Sequence, residues 1–169
     1  MNLERQLTGK AHVYGDNINT DVIIPGKYTK TLDLGTLAEH VLEDLDPLFR
    51  QNLKAGDILV AGKNFGCGSS REQAPLALKT AGVSAVVSIY FARIFYRNAI
   101  NVGLPVFEVA DHRIVTGDLI CIDLQSGIIT NKTRELTYQS HPMPEMMIKI
   151  LNDGGLVNHM KRHGGYSPY

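Results

Sequence analysis

The chain has 169 residues, a length typical of one domain with a sizeable core. Its 17 basic residues balance 17 acidic ones, and zero net charge gives no broad attraction to nucleic acid or to a membrane surface. No segment approaches the roughly 18 apolar residues of a membrane span, and residues 1–6 lack the apolar core of a signal peptide. We therefore expect a cytoplasmic protein without a nucleic-acid or membrane partner.

Strand-like and loop-like segments alternate through the first part of the chain. The pattern predicts a strand at 10–14, a polar loop at 15–21, an apolar run at 22–24, a helix at 34–45 and a buried strand at 57–61. In the helix, Leu37, Val41 and Leu45 share one face.

The rest of the chain predicts the fold class. A strand at 85–89, a helix at 91–102 and a strand at 105–109 follow the strand at 57–61, and this alternation indicates an α/β fold with a mainly parallel sheet. Residues 119–123 and 128–130 flank Ser126-Gly127 and predict a β-hairpin region. A helix at 144–152 precedes Gly154-Gly155, and we expect a mobile tail at 164–169. We expect one domain over 1–169.

The segment 66–72 (GCGSSRE) carries the most informative chemistry. It places Ser69, Ser70 and Arg71 where a glycine-rich loop is predicted to become a helix. A helix start offers unpaired N–H groups and the positive end of the helix dipole. Arg71, predicted in the first turn of this helix, adds a planar fork suited to a carboxylate. Ligands of α/β sheets bind at the carboxyl ends of strands, and this loop follows the strand at 57–61. The sequence therefore indicates an anion site with a hydroxyl beside it.

Two simpler interpretations compete with that one. Ser70 with Gln73, or Ser69 with Glu72, fits a capping box, so either serine could merely cap the helix. The same segment could also serve a non-catalytic, anion-binding regulatory module. The glycine fingerprints of dinucleotide sites and of P-loops are excluded because their residue patterns do not occur in the sequence.

Candidate metal ligands are sparse in the sequence. Cys67 and Cys121 lie far apart, so the chain alone cannot supply an ordinary iron–sulfur cluster site. Cys121 is predicted to be a core residue. Cys67, in the glycine-rich loop, is either a reactive thiol or a small residue packed beside the site, and we favour the second. His159 and His163 stand at i, i+4 spacing, but no third ligand is evident nearby in the sequence, so we predict no metal on this chain.

Three segments together resemble the small subunits of 3-isopropylmalate dehydratase, which correspond to the swivelling domain of aconitase. They are 14–25 (YGDNINTDVIIP), 66–74 (GCGSSREQA) and 91–98 (FARIFYRN). The resemblance implies a three-layer β/β/α swivelling domain and a hydro-lyase of leucine biosynthesis that isomerises 3-isopropylmalate and 2-isopropylmalate by dehydration and rehydration. It also implies a large partner subunit, in a heterodimer or heterotetramer, whose [4Fe-4S] cluster acts as a Lewis acid on the substrate hydroxyl.

Site roles follow from the resemblance, position by position. Ser69 corresponds to the general base, and because a serine hydroxyl is weakly acidic, N–H groups at the helix start and Arg71 must stabilise its alkoxide. Ser70 hydrogen-bonds the substrate carboxylate and Arg71 binds it. Thr20 and Asp21 correspond to a pair whose aspartate supports a histidine across the domain interface; the alternative for this pair is a local turn.

The segment 28–31 (YTKT) occupies the position at which the family reads its substrate, so Lys30 and Thr31 are predicted to bind it. Relatives acting on homoaconitate carry an arginine there, and some isopropylmalate enzymes an apolar residue. A lysine can pair with a distal carboxylate or turn its ammonium group to solvent, so homoaconitate and methyl-substituted malates stay as alternatives. Aconitase itself has a serine where this chain has Ile24, which disfavours citrate.

RNA binding is a further class, prompted by such a role in one aconitase relative. Zero net charge and the lack of an aromatic and basic platform in the sequence argue against it.

Overall fold

A computed structural model describes residues 5–165 of the chain. The strands of this range are β1 (Gln6–Val13), β2 (Ile58–Val60), β3 (Lys63–Phe65), β4 (Ala85–Ser88), β5 (Tyr90–Phe91), β6 (Val106–Glu108), β7 (Leu119–Asp123), β8 (Ile128–Asn131) and β9 (Leu136–Gln139). Its α-helices are α1 (Thr20–Ile23), α2 (Leu34–Glu39), α3 (Phe49–Asn52), α4 (Gln73–Ala81), α5 (Arg93–Val102), α6 (Glu145–Asn152) and α7 (Leu156–His163). A 3₁₀ turn covers Gly26–Tyr28.

One large sheet organises the fold, with strand order β6-β4-β2-β1-β7-β8-β9. The β1–β2, β2–β4 and β4–β6 pairs are parallel, whereas β1–β7, β7–β8 and β8–β9 are antiparallel. Parallel neighbours need a crossover connection, which contains α1–α3 between β1 and β2, α4 between β2 and β4, and α5 between β4 and β6. Short turns suffice for the antiparallel β7–β8 and β8–β9 pairs. The predicted α/β class, a parallel sheet with a β-hairpin region, is confirmed.

The predicted hairpin lies where β7 meets β8. Ile122 pairs with Ile129, and Gly127 sits in the turn with φ of +72°. A Cβ on Gly127 would lie 2.7 Å from the carbonyl oxygen of Ser140, so only glycine fits. The turn therefore sets the register of the antiparallel half of the sheet.

The core forms where the parallel strands meet α4 and α5. Strands β2 and β4 are completely buried and, apart from Ser88, apolar, as is usual in a sheet covered on both faces. Helix α5 buries Phe95, Ala99 and Ile100. Helix α4 contacts α2 and α5, and α5 also contacts α6 and α7.

The helix predicted at 34–45 is shorter than expected. It ends at Glu39, and Leu42 adopts φ of +57° while its N–H donates to the carbonyl oxygen of Ile23 at 2.8 Å. The contact between Leu42 and Ile23 thus replaces the helical bonding that the prediction continues to residue 45. Leu37 and Val41 are buried as predicted, but Leu45 is 38% exposed.

A second, two-stranded sheet was not predicted. Strand β3 pairs in parallel with β5, and the helix predicted from residue 91 begins only at Arg93. The ring of Phe65 packs edge-on against Phe91 and Phe95, with centroids 5.9 and 5.1 Å away. This aromatic cluster joins the small sheet to α5.

The C-terminal part of the described chain is helical on both sides of a glycine turn. Gly154 and Gly155 end α6 as predicted, and α7 then runs to His163, with Gly164 as its left-handed cap. Residues 166–169 of the predicted tail lie outside the described residues. Between residues 5 and 165, none of the helices is long and apolar enough to cross a membrane.

Candidate functional site

The glycine-rich loop lies between β3 and α4, alongside the segment that leads into α1. The N–H of Gly66 donates to the carbonyl oxygen of Ile18 at 2.7 Å, and the N–H of Thr20 donates to that of Cys67 at 2.9 Å. We expected the loop directly after the strand at 57–61, but β3 intervenes. The loop therefore extends from the small sheet and is held along one side by residues 18–20.

Two glycines allow this close approach. A Cβ on Gly66, which has φ of +79°, would lie 2.2 Å from Cγ of Phe95. Gly68 has φ of +93° and lies against Asn19 and Thr20. Both backbone conformations favour glycine, so these positions determine where the following serines stand.

Ser69 and Ser70 are exposed, and within residues 5–165 their hydroxyls have no hydrogen-bond partner. Helix α4 begins at Gln73 after Glu72, without a side-chain cap. The capping interpretation of both serines is therefore wrong.

Arg71 lies two residues before α4, not in its first turn as predicted. Pro75 explains the late start, because it lacks the N–H group that would bond to the carbonyl of residue 71 in a longer helix.

Thr20 and Asp21 both face this loop. Asn19 caps α1 by accepting a hydrogen bond from the N–H of Val22, so a local turn is present. The hydroxyl of buried Thr20 additionally donates to the carbonyl oxygen of Ser69 at 3.0 Å. The pair therefore does more than form a turn.

Asp21 and Arg71 form an ion pair through Oδ1 and Nη1. The side chain of Asp21 is 59% exposed and that of Arg71 is 24% exposed. Nη1 is itself shielded from solvent and, within the described range, makes no well-aligned hydrogen bond. The guanidinium is therefore neutralised by a contact that leaves its hydrogen-bonding capacity partly unused.

The loop with Lys30 and Thr31 is tied to the start of α4. Nε2 of Gln73 donates to the carbonyl oxygen of Thr29 at 3.1 Å. A Cβ on Gly26 would lie 3.4 Å from Nη1 of Arg71, so this turn also borders the guanidinium. Thus residues 20–21, 26–31 and 66–73 converge.

Lys30 and Thr31 differ in how they are held. Lys30 is exposed, and nothing within residues 5–165 pairs with its ammonium group. The hydroxyl of Thr31 accepts a hydrogen bond from the N–H of Asp33 at 3.1 Å. Lys30 can therefore move, whereas Thr31 is fixed within its turn.

Sequence reasoning missed the anchor of this loop, a cluster around Tyr28. The ring of Tyr28 stacks on His40, with centroids 4.0 Å apart, and Nδ1 of His40 donates to Glu43 at 2.6 Å. Burial acts to raise the pKa of Glu43, but hydrogen bonds from His40 and Tyr28 outweigh it and lower that pKa. No periodic pattern links these residues in the sequence.

A groove of about 300 Å³ runs between the anchored loop and α4. Its lining includes Thr31, Leu32, Leu34, Gln73 and Leu76. Leu32 is 95% exposed, an unusual state for a large apolar side chain beside a polar loop. The groove offers an apolar surface beside Glu72 and Gln73, which directly follow Arg71 in the chain.

The two cysteines do not fit an iron–sulfur cluster. Cys121 is buried on β7, whereas Cys67 lies in the glycine-rich loop. Ordinary cubane clusters take three or four cysteine ligands, and the chain has two in total. The cysteines of this chain therefore cannot by themselves hold such a cluster.

Comparison with known proteins shows the family of the chain. Residues 16–111 match the family described as the aconitase C-terminal domain. The chain is 52% identical over 160 residues to 3-isopropylmalate dehydratase small subunit 2 of Archaeoglobus fulgidus, covering 94% of this chain and 97% of that one. It is 54% identical over 157 residues to the methanogen homoaconitase small subunit of Methanothermobacter thermautotrophicus, covering 93% and 92%.

A solved structure gives the same result. The crystal structure of 3-isopropylmalate dehydratase from Methanocaldococcus jannaschii matches with a TM-score of 0.89 and 45% identity, covering 94% of this chain and 95% of that one. The chain therefore belongs to the family of aconitase C-terminal domains. Its predicted resemblance to the small subunits of 3-isopropylmalate dehydratase, and the fold class implied by it, are confirmed.

Proposed function

We propose that this chain is the small subunit of a hydro-lyase that interconverts 3-isopropylmalate and 2-isopropylmalate in leucine biosynthesis. The observation that carries the proposal is the exposed Ser69 hydroxyl, which has no partner within residues 5–165 although its backbone is held by Thr20. Relatives named for this activity are more than half identical to the chain over nearly its whole length. Aconitase-type hydro-lyase chemistry follows from the family.

In the proposed mechanism Ser69 is the general base. Its alkoxide removes the proton from the carbon next to a substrate carboxylate, and the same hydroxyl returns a proton in the reverse direction. The fixed carbonyl of Ser69 limits where the side chain can reach, which favours one orientation towards the substrate. Arg71 supplies positive charge two residues away.

Arg71 and Ser70 bind the substrate carboxylate in this proposal. A carboxylate that replaces Asp21 on the guanidinium can form the well-aligned, bidentate pair that Asp21 does not form with Nη1. Asp21, released from Arg71, is then free to support a histidine of the partner subunit. The Ser70 hydroxyl is exposed beside this position and adds one hydrogen bond.

The groove beside Thr31 supports isopropylmalate as the substrate. Leu32, Leu34 and Leu76 present apolar surface that suits a branched alkyl group. Homoaconitate is the second candidate, because Lys30 offers a mobile cation for a distal carboxylate and one close relative is named for that substrate. A methyl-substituted malate would also fit the apolar surface.

The proposed partner is a large subunit, in a heterodimer or heterotetramer, because the relatives are named small subunits. We assign the [4Fe-4S] cluster to that partner, since the two cysteines of this chain cannot hold it. The cytoplasmic location stays a prediction.

Reconstitution tests the proposal. The chain is purified alone, and separately co-expressed anaerobically with the large subunit encoded in the same genome. We expect no turnover and no cluster absorption from the chain alone. The pair should convert 3-isopropylmalate with a higher kcat/KM than homoaconitate or citraconate. Turnover by the chain alone, or a stable pair that turns over none of these diacids, contradicts the proposal.

A further inference from the structure

A second group of ligand-type side chains lies at the junction of α6 and α7, on other elements than the candidate site. Asp153 directly follows α6, and His159 and His163 lie one turn apart on α7. In the sequence, i, i+4 spacing groups the two histidines but does not include the aspartate. The Gly154-Gly155 turn lies between Asp153 and α7 and interrupts the helical spacing.

The three side chains converge on one point. Oδ2 of Asp153 is 2.7 Å from Nδ1 of His159 and 3.1 Å from Nε2 of His163. The two imidazole centroids are 4.6 Å apart, and one ligand atom from each residue lies within 4.8 Å of the others. Each residue therefore contributes a donor atom to one small volume.

We propose that Asp153, His159 and His163 form a binding site for a divalent transition metal, with zinc as the best match. Two imidazole nitrogens and one carboxylate oxygen are the ligands of many three-residue zinc sites. Tetrahedral zinc holds such atoms at about 2.0–2.2 Å, which places them roughly 3.3 Å from one another. The observed separations need only small side-chain movements to reach that geometry.

Accessibility favours binding from one side. The side chains of His159 and Asp153 are 4% and 13% exposed, whereas that of His163 is 51% exposed. Two ligands are therefore held by packing, and the third faces solvent, where a metal can enter and retain a water ligand.

Neighbouring contacts hold the aspartate in place. Nη1 of Arg162 donates to Oδ1 of Asp153 at 2.8 Å and leaves Oδ2 directed at the histidines. Nζ of Lys79 donates to the carbonyl oxygen of Gly154 at 3.0 Å and fixes the adjacent turn. A Cβ on Gly103 would lie 2.7 Å from the carbonyl carbon of Gly154, so the turn is also tightly packed. Outer contacts of this kind orient metal ligands in proteins.

The competing explanation is a hydrogen-bond cluster that fastens α7 to α6 without a metal. In that case both imidazoles donate N–H groups to Oδ2. With a metal bound, the same nitrogens present lone pairs, and the ring hydrogens move to the other nitrogens. Direct metal binding distinguishes the two explanations.

The test is zinc titration of the full chain, purified without a histidine tag and stripped with chelator. Calorimetry should give one zinc ion per chain with a micromolar or tighter Kd, and added zinc should raise the thermal midpoint. Cobalt should give the visible absorption of a tetrahedral complex. His163→Gln should weaken binding at least tenfold. His141→Gln, which changes an exposed histidine outside the cluster, should leave binding unchanged.

His163 is the preferred position because it is exposed, and circular dichroism reports whether the variant folds. If it does not, Asp153→Asn, which keeps the side-chain size, must show the same tenfold loss. Absence of stoichiometric binding overturns the proposal. Equal affinity of the wild type and the folded cluster variant overturns it as well.

Discussion

Thr20 donates its hydroxyl hydrogen to the main-chain carbonyl oxygen of Ser69 across 3.0 Å, joining residues 49 positions apart in the sequence. Thr20 is 2% exposed, so water does not compete freely for this bond. The contact fixes the backbone of Ser69 and leaves its side chain without a partner within residues 5–165. Thr20, the first residue of α1, thereby positions Ser69, the proposed base, in the glycine-rich loop.

Thr20→Val should separate positioning from packing. Valine has nearly the same shape but leaves the Ser69 carbonyl without its donor, which should cost about 1 kcal/mol of stability. We expect kcat of the reconstituted pair to fall by about tenfold or more, because small displacements of a catalytic group are costly. Thr20→Ser keeps the hydroxyl and is the matched control. A Thr20→Val enzyme with wild-type kcat would show that the bond is only structural.

Ser69→Ala should remove activity while leaving the fold intact. The lost hydroxyl makes no hydrogen bond within the described range, so the thermal midpoint should hardly change. Turnover should fall by about 10²–10⁴-fold, the usual effect of losing a positioned general base. Ser84→Ala provides the opposite control, because Oγ of Ser84 donates to the carbonyl oxygen of Gly56 at 2.7 Å. The Ser84→Ala variant should lose stability and keep turnover. A Ser69→Ala variant that loses stability and keeps its turnover would reject Ser69 as the base.

Arg71→Lys tests carboxylate binding. Lysine keeps the positive charge but loses the planar fork, so we expect KM to rise strongly, with a smaller fall in kcat. Steady-state kinetics of the reconstituted pair measures both. Arg50→Lys, an exposed arginine on α3, should leave both constants unchanged. Unchanged kinetics for Arg71→Lys would mean that its ion pair with Asp21 serves only the fold.

Lys30→Val should alter substrate preference. If the ammonium group faces a distal carboxylate, its removal favours isopropylmalate over homoaconitate, because an unpaired buried charge is rejected strongly. We expect the ratio of kcat/KM values to shift by more than about threefold, or roughly 0.7 kcal/mol. Lys132→Val, in the turn after β8, controls for the loss of one surface charge. A smaller shift would exclude Lys30 from substrate selection.

Acid stability should depend on Asp57. Burial acts to raise the pKa of this carboxyl, but hydrogen bonds from His12 and from the N–H groups of Lys54 and Lys10 outweigh it and leave the pKa below its usual value. A carboxyl with a lower pKa in the folded state stabilises the fold above its unfolded pKa, near 4. That stability is lost as the pH falls through the folded pKa.

Thermal unfolding between about pH 6 and pH 3 measures this effect. The midpoint of the wild type should fall over that interval, and Asp57→Asn should start lower and fall less steeply. Glu145→Gln, at an exposed position, should follow the wild-type slope. Parallel slopes for Asp57→Asn and the wild type would contradict this account.

The parallel half of the sheet could be predicted because β2, β4 and β6 are short apolar runs bounded by turn residues. Strand β9 could not, since Leu136–Gln139 is largely exposed and lacks an apolar alternation. The predicted helix at 34–45 is longer than the observed one, because the spacing of Val41 and Leu45 suggests another helical turn. In the structure the N–H of Leu42 instead donates to the carbonyl oxygen of Ile23.

The candidate site could likewise be predicted only in part. The residue types of Ser69, Ser70 and Arg71 could be identified from the sequence, and their neighbours could not. The bonds from Thr20 to Ser69 and from Gln73 to Thr29 join distant segments, and such contacts leave no pattern in a single sequence. Asp153 lies only six residues before His159 and ten before His163, but the Gly154-Gly155 turn separates it from α7, so helical spacing does not group the three residues.

The central place of β1 has a consequence for how the chain folds. Val13 pairs with Val60 on one side of the strand, and Gln6 pairs with Asp123 on the other. Strand β1 therefore receives its second neighbour, β7, only after the roughly hundred residues between the two strands have been made. Until then one edge of β1 stays unpaired, and closing it requires a long loop. Folding should accordingly be slow for a protein of this size, with an aggregation-prone intermediate that ends when β7 docks.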